Sequence, residues 1–260
     1  MTSDIGAILA IANRDFVKLL RDPMRIVTSF VFPIFFVGLL GGSLQANLGD
    51  SVGYNFLTFT FTGIIAQTLF QSSAQGLISL VDDRESDFSQ EMFVSPVSRY
   101  SIIFGKILGE TLVALVQGLA IVLFGLVIGV PITLPILVAL IPASLAACLL
   151  GGAFGVLILA NLGSRRAAEQ VFTFIFFPQF FLAGVFSPIQ VLPWYLEIPS
   201  RLSPLRYAVD LMRNVFYAGS PEYPKVVLAS PAFNLAIMAA LFTGFMVVGT
   251  FLFVRGERNR

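Results

Sequence analysis

Six apolar runs, each near or beyond the length needed to cross a bilayer, constrain this chain more than any other feature. They cover residues 24–44, 54–80, 100–129, 136–162, 171–186 and 233–254. A membrane-spanning helix takes about 20 predominantly apolar residues. Backbone groups in lipid must find their partners within the segment, so such runs form helices. The chain is 57% hydrophobic and only 12% charged, whereas soluble domains are roughly 45–50% apolar. The expectation is a single all-α integral membrane domain over residues 1–260, with six spans.

What lies between the runs gives the rest of the plan. Residues 3–22, SDIGAILAIANRDFVKLLRD, place Ile5, Ile8, Leu9, Ala12, Phe16, Leu19 and Leu20 on one helical side. Asp4, Asn13, Arg14, Lys18 and Arg21 fall mostly opposite, the pattern of a helix lying in the membrane interface. Pro23 ends it. A polar link is expected at 45–53 and a basic one at 163–170. The island DDRESDFSQEMFVSPVSR, residues 82–99, carries five acidic residues and two arginines between two apolar runs. Read as a helix, it places Phe88 and Met92 four apart, flanked by Arg84, Asp87 and Glu91. Ser95-Pro96 then supplies a cap and a first-turn proline for the next run. The plain alternative is a solvated loop joining two spans.

Lysine and arginine set the orientation. Of the 16 in the chain, Arg201, Arg206, Arg213 and Lys225 fall on one side, and the other twelve fall opposite. Both termini and the island are therefore expected in the cytoplasm, with the protein in the cytoplasmic membrane. No cleavable signal is expected, because the first twenty residues alternate charge with apolar residues.

Three stretches resemble the permease subunits of type-2 ABC exporters. Leu20-Arg21-Asp22-Pro23 resembles the family's motif where the interfacial helix meets the first span. DRESDFSQEMFVSPVSR resembles its coupling helix, in the version of daunorubicin-type drug-resistance and nodulation-factor exporters, D-R-E-x-G-F-L-x-E-M-L-V-x-P-V-S-R. Asp87 stands where glycine is usual there, and Ser89 where leucine is usual. Ser187-Pro188, Leu192-Pro193-Trp194 and SPLRYAVDLMR (203–213) resemble the segment after the fifth span, with Ser203 replacing a common asparagine. The resemblance implies two permease copies, or a pair with a close relative, docked on two separate ATPase subunits. It implies a coupling helix at 82–97, in which Phe88, Met92 and Phe93 anchor in an ATPase cleft and Arg84, Glu85 and Glu91 orient it at the rim. It also implies a re-entrant pair of short helices at 187–214, carrying Pro193, Trp194, Pro204, Tyr207, Asp210 and Arg213.

The residues leave several smaller features open. Lys106 and Glu110, four apart near the start of the third span, read either as an intramembrane ion pair or as an ion relay. A charge at membrane depth costs about 2.5–3.5 kcal/mol on insertion scales, so each needs a partner or water. Gln67, Gln71 and Gln75 recur every four residues in the second span. They read as a translocation path or as hydrogen-bond glue between helices, at about 1 kcal/mol apiece. Gln179, beside Pro178 in the fifth span, is open to both readings. The phenylalanine run 172–181, with Phe177 in it, reads as a greasy wall or as ordinary packing. Gly125/Gly129 and Gly151/Gly155 have the spacing of close helix packing.

Other chemistry is excluded by what the sequence lacks. There is no histidine and a single cysteine, Cys148, so histidine-based metal or acid–base sites and an internal disulfide do not arise. A phosphate-binding loop needs G-x-x-x-x-G-K-[ST]. The one Gly-Lys, Gly105-Lys106, is followed by Ile107 and has Tyr100 where that glycine belongs. The chain is expected to hold no cofactor and to bind no nucleic acid, with ATP and magnesium on the partner subunits. The expected function is outward movement of an amphipathic or lipophilic compound, with a lipid-linked glycan as the alternative cargo. An ion-driven transporter is the competing class.

Overall fold

The computed structural model describes residues 2–21, 23–81, 98–160 and 162–258, and every regular element among them is a helix. The amphipathic stretch forms α1 (Thr2–Leu20). After it, α2 (Pro23–Phe35) runs through a π-helical segment (Phe36–Gly41) into α3 (Gly42–Val52). The polar link expected at 45–53 is therefore mostly helix. Polarity alone does not end a helix, and the chain turns only at Gly53, whose φ of 73° lies in the left-handed region that favours glycine. The Gln45 side chain then accepts the Phe56 amide at 2.6 Å, fixing the turn.

Side-chain caps start the next helices. Asn55 accepts the Thr58 amide at 2.9 Å to open α4 (Phe56–Gly76), and Ser98 accepts the Ser101 amide at 3.1 Å to open α5 (Arg99–Val127). After α6 (Leu134–Leu159), Ser164 caps α7 (Arg165–Leu182) through the Ala167 amide at 3.3 Å. The expected basic link at 163–170 is thus largely the first turns of α7, supported by the Arg165–Glu169 pair at 2.8 Å. The remaining helices are α8 (Trp194–Leu202), α9 (Pro204–Phe216), α10 (Tyr223–Val226) and α11 (Pro231–Arg258).

Four stretches among the described residues are long and apolar enough to cross a membrane: Phe30–Asn47, Tyr100–Val127, Leu134–Leu159 and Tyr223–Arg255. The chain is an integral membrane protein. Neither α4, with 21 residues, nor α7, with 18, is among the four. Three glutamines interrupt α4, and Arg165, Arg166 and Glu169 occupy the start of α7.

The bundle is built around α4, which packs on α5, α6, α9 and the π-helical segment. Its Phe59, Phe61 and Phe70 are wholly buried. Within a membrane such side chains stabilise the bundle by close packing rather than by leaving water. Glycines allow the closest approaches. A Cβ at Gly151 would lie 2.1 Å from the Phe70 carbonyl oxygen, and one at Gly155 would lie 2.6 Å from that of Ala74. The spacing read from the sequence is here a real α4–α6 seam. Gly125 instead faces the Phe61 ring, and Gly129 sits in a turn with φ of 85°, so that second pair is not a packing motif. A pair the sequence reading passed over, Gly105 and Gly109, seats α1 on α5. A Cβ at either would come within 3.2 Å of the α1 backbone.

Candidate functional site

The glutamines of α4 line a cavity of about 450 Å³ between α2, α4, α5 and α7. Gln67, Gln71 and Gln75 share it with Thr68 and Ser72 of α4 and with Gln117 of α5. Phe32 and Pro33 of α2 and Phe180 of α7 also line it. Residues four apart in a helix lie on one face, and all three glutamines face this cavity. Hydrogen bonding weighs against the glue reading. Gln67 Nε2 donates to Gln71 Oε1 within α4, and among the described residues no glutamine of the cavity bonds across to another helix. Two expected members lie elsewhere. Phe177 is exposed and does not line the cavity. Gln179 is buried and accepts from the Ser203 hydroxyl at 3.2 Å, joining α7 to the start of α9. Gln117 was not singled out from the sequence, where the usable signal was a lone glutamine in the middle of an apolar span, while Phe180 falls in the phenylalanine run 172–181.

A second cluster lies where α1 meets α5. Lys106, with no exposed surface, has the Asp15 carboxylate of α1 at 3.4 Å and donates to Ser79 Oγ at 3.0 Å. Asp15, 5% exposed, is also held by Arg14 at 3.0 and 3.1 Å. The sequence pairs Lys106 with Glu110, four residues on. The structure also brings Asp15 to Lys106, because α1 lies on the Gly105/Gly109 face of α5 and carries that carboxylate into reach. Glu110 packs on Gly76, where an added Cβ would overlap its carboxylate. Beside this cluster, Asp4 of α1 accepts from the Ser98 amide and the Ser101 hydroxyl, each at 3.4 Å.

The third cluster lies at the opposite end of α4, on α9. Pro204 opens that helix. Asp210, 2% exposed, accepts from the Leu228 amide at 2.8 Å, the Ala229 amide at 2.9 Å and Asn234 Nδ2 at 2.7 Å. Asn214 donates to the Asp210 and Ala229 carbonyls at 2.9 and 3.0 Å and accepts from the Tyr223 hydroxyl at 2.5 Å. Arg213 is buried, donates to the Gly184 carbonyl at 2.7 Å and lies 3.6 Å over the Phe59 ring. Burial pulls its pKa down to about 10, which leaves it a cation at neutral pH. Tyr207 donates to the Arg201 carbonyl at 2.8 Å. Pro193 precedes α8, whose first residue, Trp194, is 76% exposed. Arg84, Glu85, Phe88, Glu91, Met92 and Phe93 lie outside the described residues.

Comparison with known proteins points to one family. A model of the ABC-2 type transporter family matches residues 6–217. The chain is 27% identical over 259 residues to ycf38 of Cyanophora paradoxa, a protein named as a transport permease, covering 96% of this chain and 88% of that one. It is 24% identical over 236 residues to the inner membrane transport permease YadH of Escherichia coli K12, covering 90% and 88%. It is 28% identical over 195 residues to ABC transporter G family member 20 of Dictyostelium discoideum, covering 74% of this chain and 26% of that protein.

Proposed function

This chain belongs to the ABC-2 type transporter family, and from that premise we propose that it is the permease subunit of an ATP-driven exporter. Its cargo is an amphipathic or lipophilic compound moved outward across the cytoplasmic membrane. Six spans are completed by α4 and α7, both termini are cytoplasmic, and α8 and α9 form the outer re-entrant pair. Two ATPase subunits bind and hydrolyse ATP with magnesium, and a second permease copy completes the membrane part. The exposed apolar side chains of α2 and α7, among them Val31, Phe35, Phe174 and Phe177, suit contact with lipid or that second copy.

The observation that carries this reading is the cavity with polar and aromatic walls beside the central helix. Its volume lies within the range of small-molecule sites, roughly 300–1,000 Å³. Force would reach it through the chain itself. The coupling segment 82–97 connects the end of α4 to the cap of α5, and the Lys106–Asp15 pair and the Asp4 bonds tie those ends to α1. Closure of the ATPase pair would shift α4 against α5 and so change the distance between Gln71 and Gln117. Residues bound in one packed cluster have two discrete arrangements more readily than a continuum.

The test is retention of an ATPase. The solubilised native chain is expected to hold an ATPase subunit from its own cell, and Phe88→Asp/Met92→Asp to lose it while remaining dimeric. A native dimer that holds no ATPase would overturn the exporter reading.

A further inference from the structure

The chemistry of the cavity wall says more than that something passes. Four glutamines, a threonine and a serine face it from α4 and α5, while Phe32, Pro33 and Phe180 face it from α2 and α7. Among the described residues the lining contains no aspartate, glutamate, lysine or arginine. Each amide carries two donors and an acceptor oxygen. Among the described residues the only side-chain hydrogen bond these four make is that between Gln67 and Gln71, and Gln67 Oε1, buried, has no partner there. An unmet buried polar group costs about 1–3 kcal/mol, so the wall is poised for hydrogen-bonding partners from outside the protein.

We propose that the compound admitted here is an uncharged amphiphile bearing several hydroxyl, ether or carbonyl groups, selected by Gln71 and Gln117. This rests on the exporter reading above and deepens it. Among the described residues an organic cation would meet no lining carboxylate and an anion no lining base, so either would lose hydration without a counter-charge from them. Glu110 comes near but is 3% exposed and packs behind Gly76. Amides serve donors and acceptors alike, which matches a polar group rich in oxygen. The aromatic side receives hydrocarbon. Gln71 and Gln75 are the part-exposed members of the stripe, Gln71 lies midway along it, and Gln117 lines the same cavity from α5, so Gln71 and Gln117 together sample the polar wall from both helices.

Photoaffinity labelling of the full chain in lipid nanodiscs tests this. Three probes share one diazirine-bearing dodecyl chain and differ in head group: maltoside, trimethylammonium and sulfate. The maltoside probe is expected to label the peptides around Gln67–Gly76 and Gln117 saturably, at least tenfold above the charged probes. Gln71→Leu/Gln117→Leu is expected to lower that labelling about tenfold at unchanged melting temperature. Gln71→Glu guards against a variant that merely unfolds, because it is expected to gain labelling by the trimethylammonium probe. Equal or stronger labelling by a charged probe in the native chain would overturn the neutral class and leave the cavity as the path. Labelling confined to lipid-facing positions such as Phe174, with none at the cavity for any probe, would overturn the path as well.

Discussion

Two buried carboxylates, Asp15 at the α1 end and Asp210 at the α9 end, are satisfied in different ways. Asp210 accepts three short N–H bonds, two from consecutive backbone amides at 228 and 229 and one from Asn234. Such bonds are directional and fix the approach to α11 against α9. Asp15 is held by the ends of two long cationic side chains, Lys106 at 3.4 Å and the part-exposed Arg14. Coulomb attraction falls slowly with distance and has little directional demand. The α9 end is therefore a clasp, while the α1 end is a joint that tolerates displacement. A transporter needs both: one end held while the other moves.

Breaking the clasp should have the largest effect. Asp210→Ala leaves one buried and two part-buried N–H groups without an acceptor, and a loss of about 2–4 kcal/mol is expected. Thermal unfolding of the reconstituted protein checks it. Asp210→Asn keeps one oxygen acceptor and should lose less. If Asp210→Ala melts with the native chain, those bonds do not hold α11.

The joint should behave otherwise. Lys106→Met strands Asp15 with Arg14 alone, and a loss of about 2–4 kcal/mol is expected, because removing one partner of a buried pair leaves the other uncompensated. Replacing both, in Asp15→Leu/Lys106→Met, should bring stability back to within about 1 kcal/mol of native, a recovery a double-mutant cycle measures. Transport driven by the partner ATPase should stay impaired in the double variant, since α1 no longer follows α5 through a charge pair. Full transport by the double variant would remove the joint from the mechanism.

How much of this was readable beforehand depended on the range of the interactions. The apolar runs and the stripe at 67, 71 and 75 follow from local periodicity and appear as helices and as one cavity wall. Helix limits were lost where polarity stood in for backbone breaking. Residues 45–52 remain helical for want of a proline, and Ser164 caps α7 where a link was expected. That Asp15 also reaches Lys106 was not visible, because it lies far off in sequence and only the Gly105/Gly109 seam brings it near. For the same reason Gln117, a single glutamine with no local pattern, gave no sign of facing Gln71.

The smallest effects should come from single methyl groups, and they sharpen the contrast between the two ends. A Cβ at Gly63 would lie 2.3 Å from the Val185 carbonyl oxygen, beside the Gly184 carbonyl that Arg213 holds. Backbone there cannot yield without disturbing the clasp, so Gly63→Ala should cost about 1–3 kcal/mol. At Gly109 the nearest atoms, Ala12 Cα and Asp15 Cβ, lie 3.1 Å away, and α1 as a whole can move outward by a few tenths of an ångström. That strain competes with the gain in helix propensity of alanine over glycine, about 1 kcal/mol. Gly109→Ala should therefore leave the melting temperature almost unchanged while lengthening the Lys106–Asp15 separation. A large loss of stability at Gly109 would mean that α1 is seated as rigidly as α9, and the distinction between joint and clasp would fall.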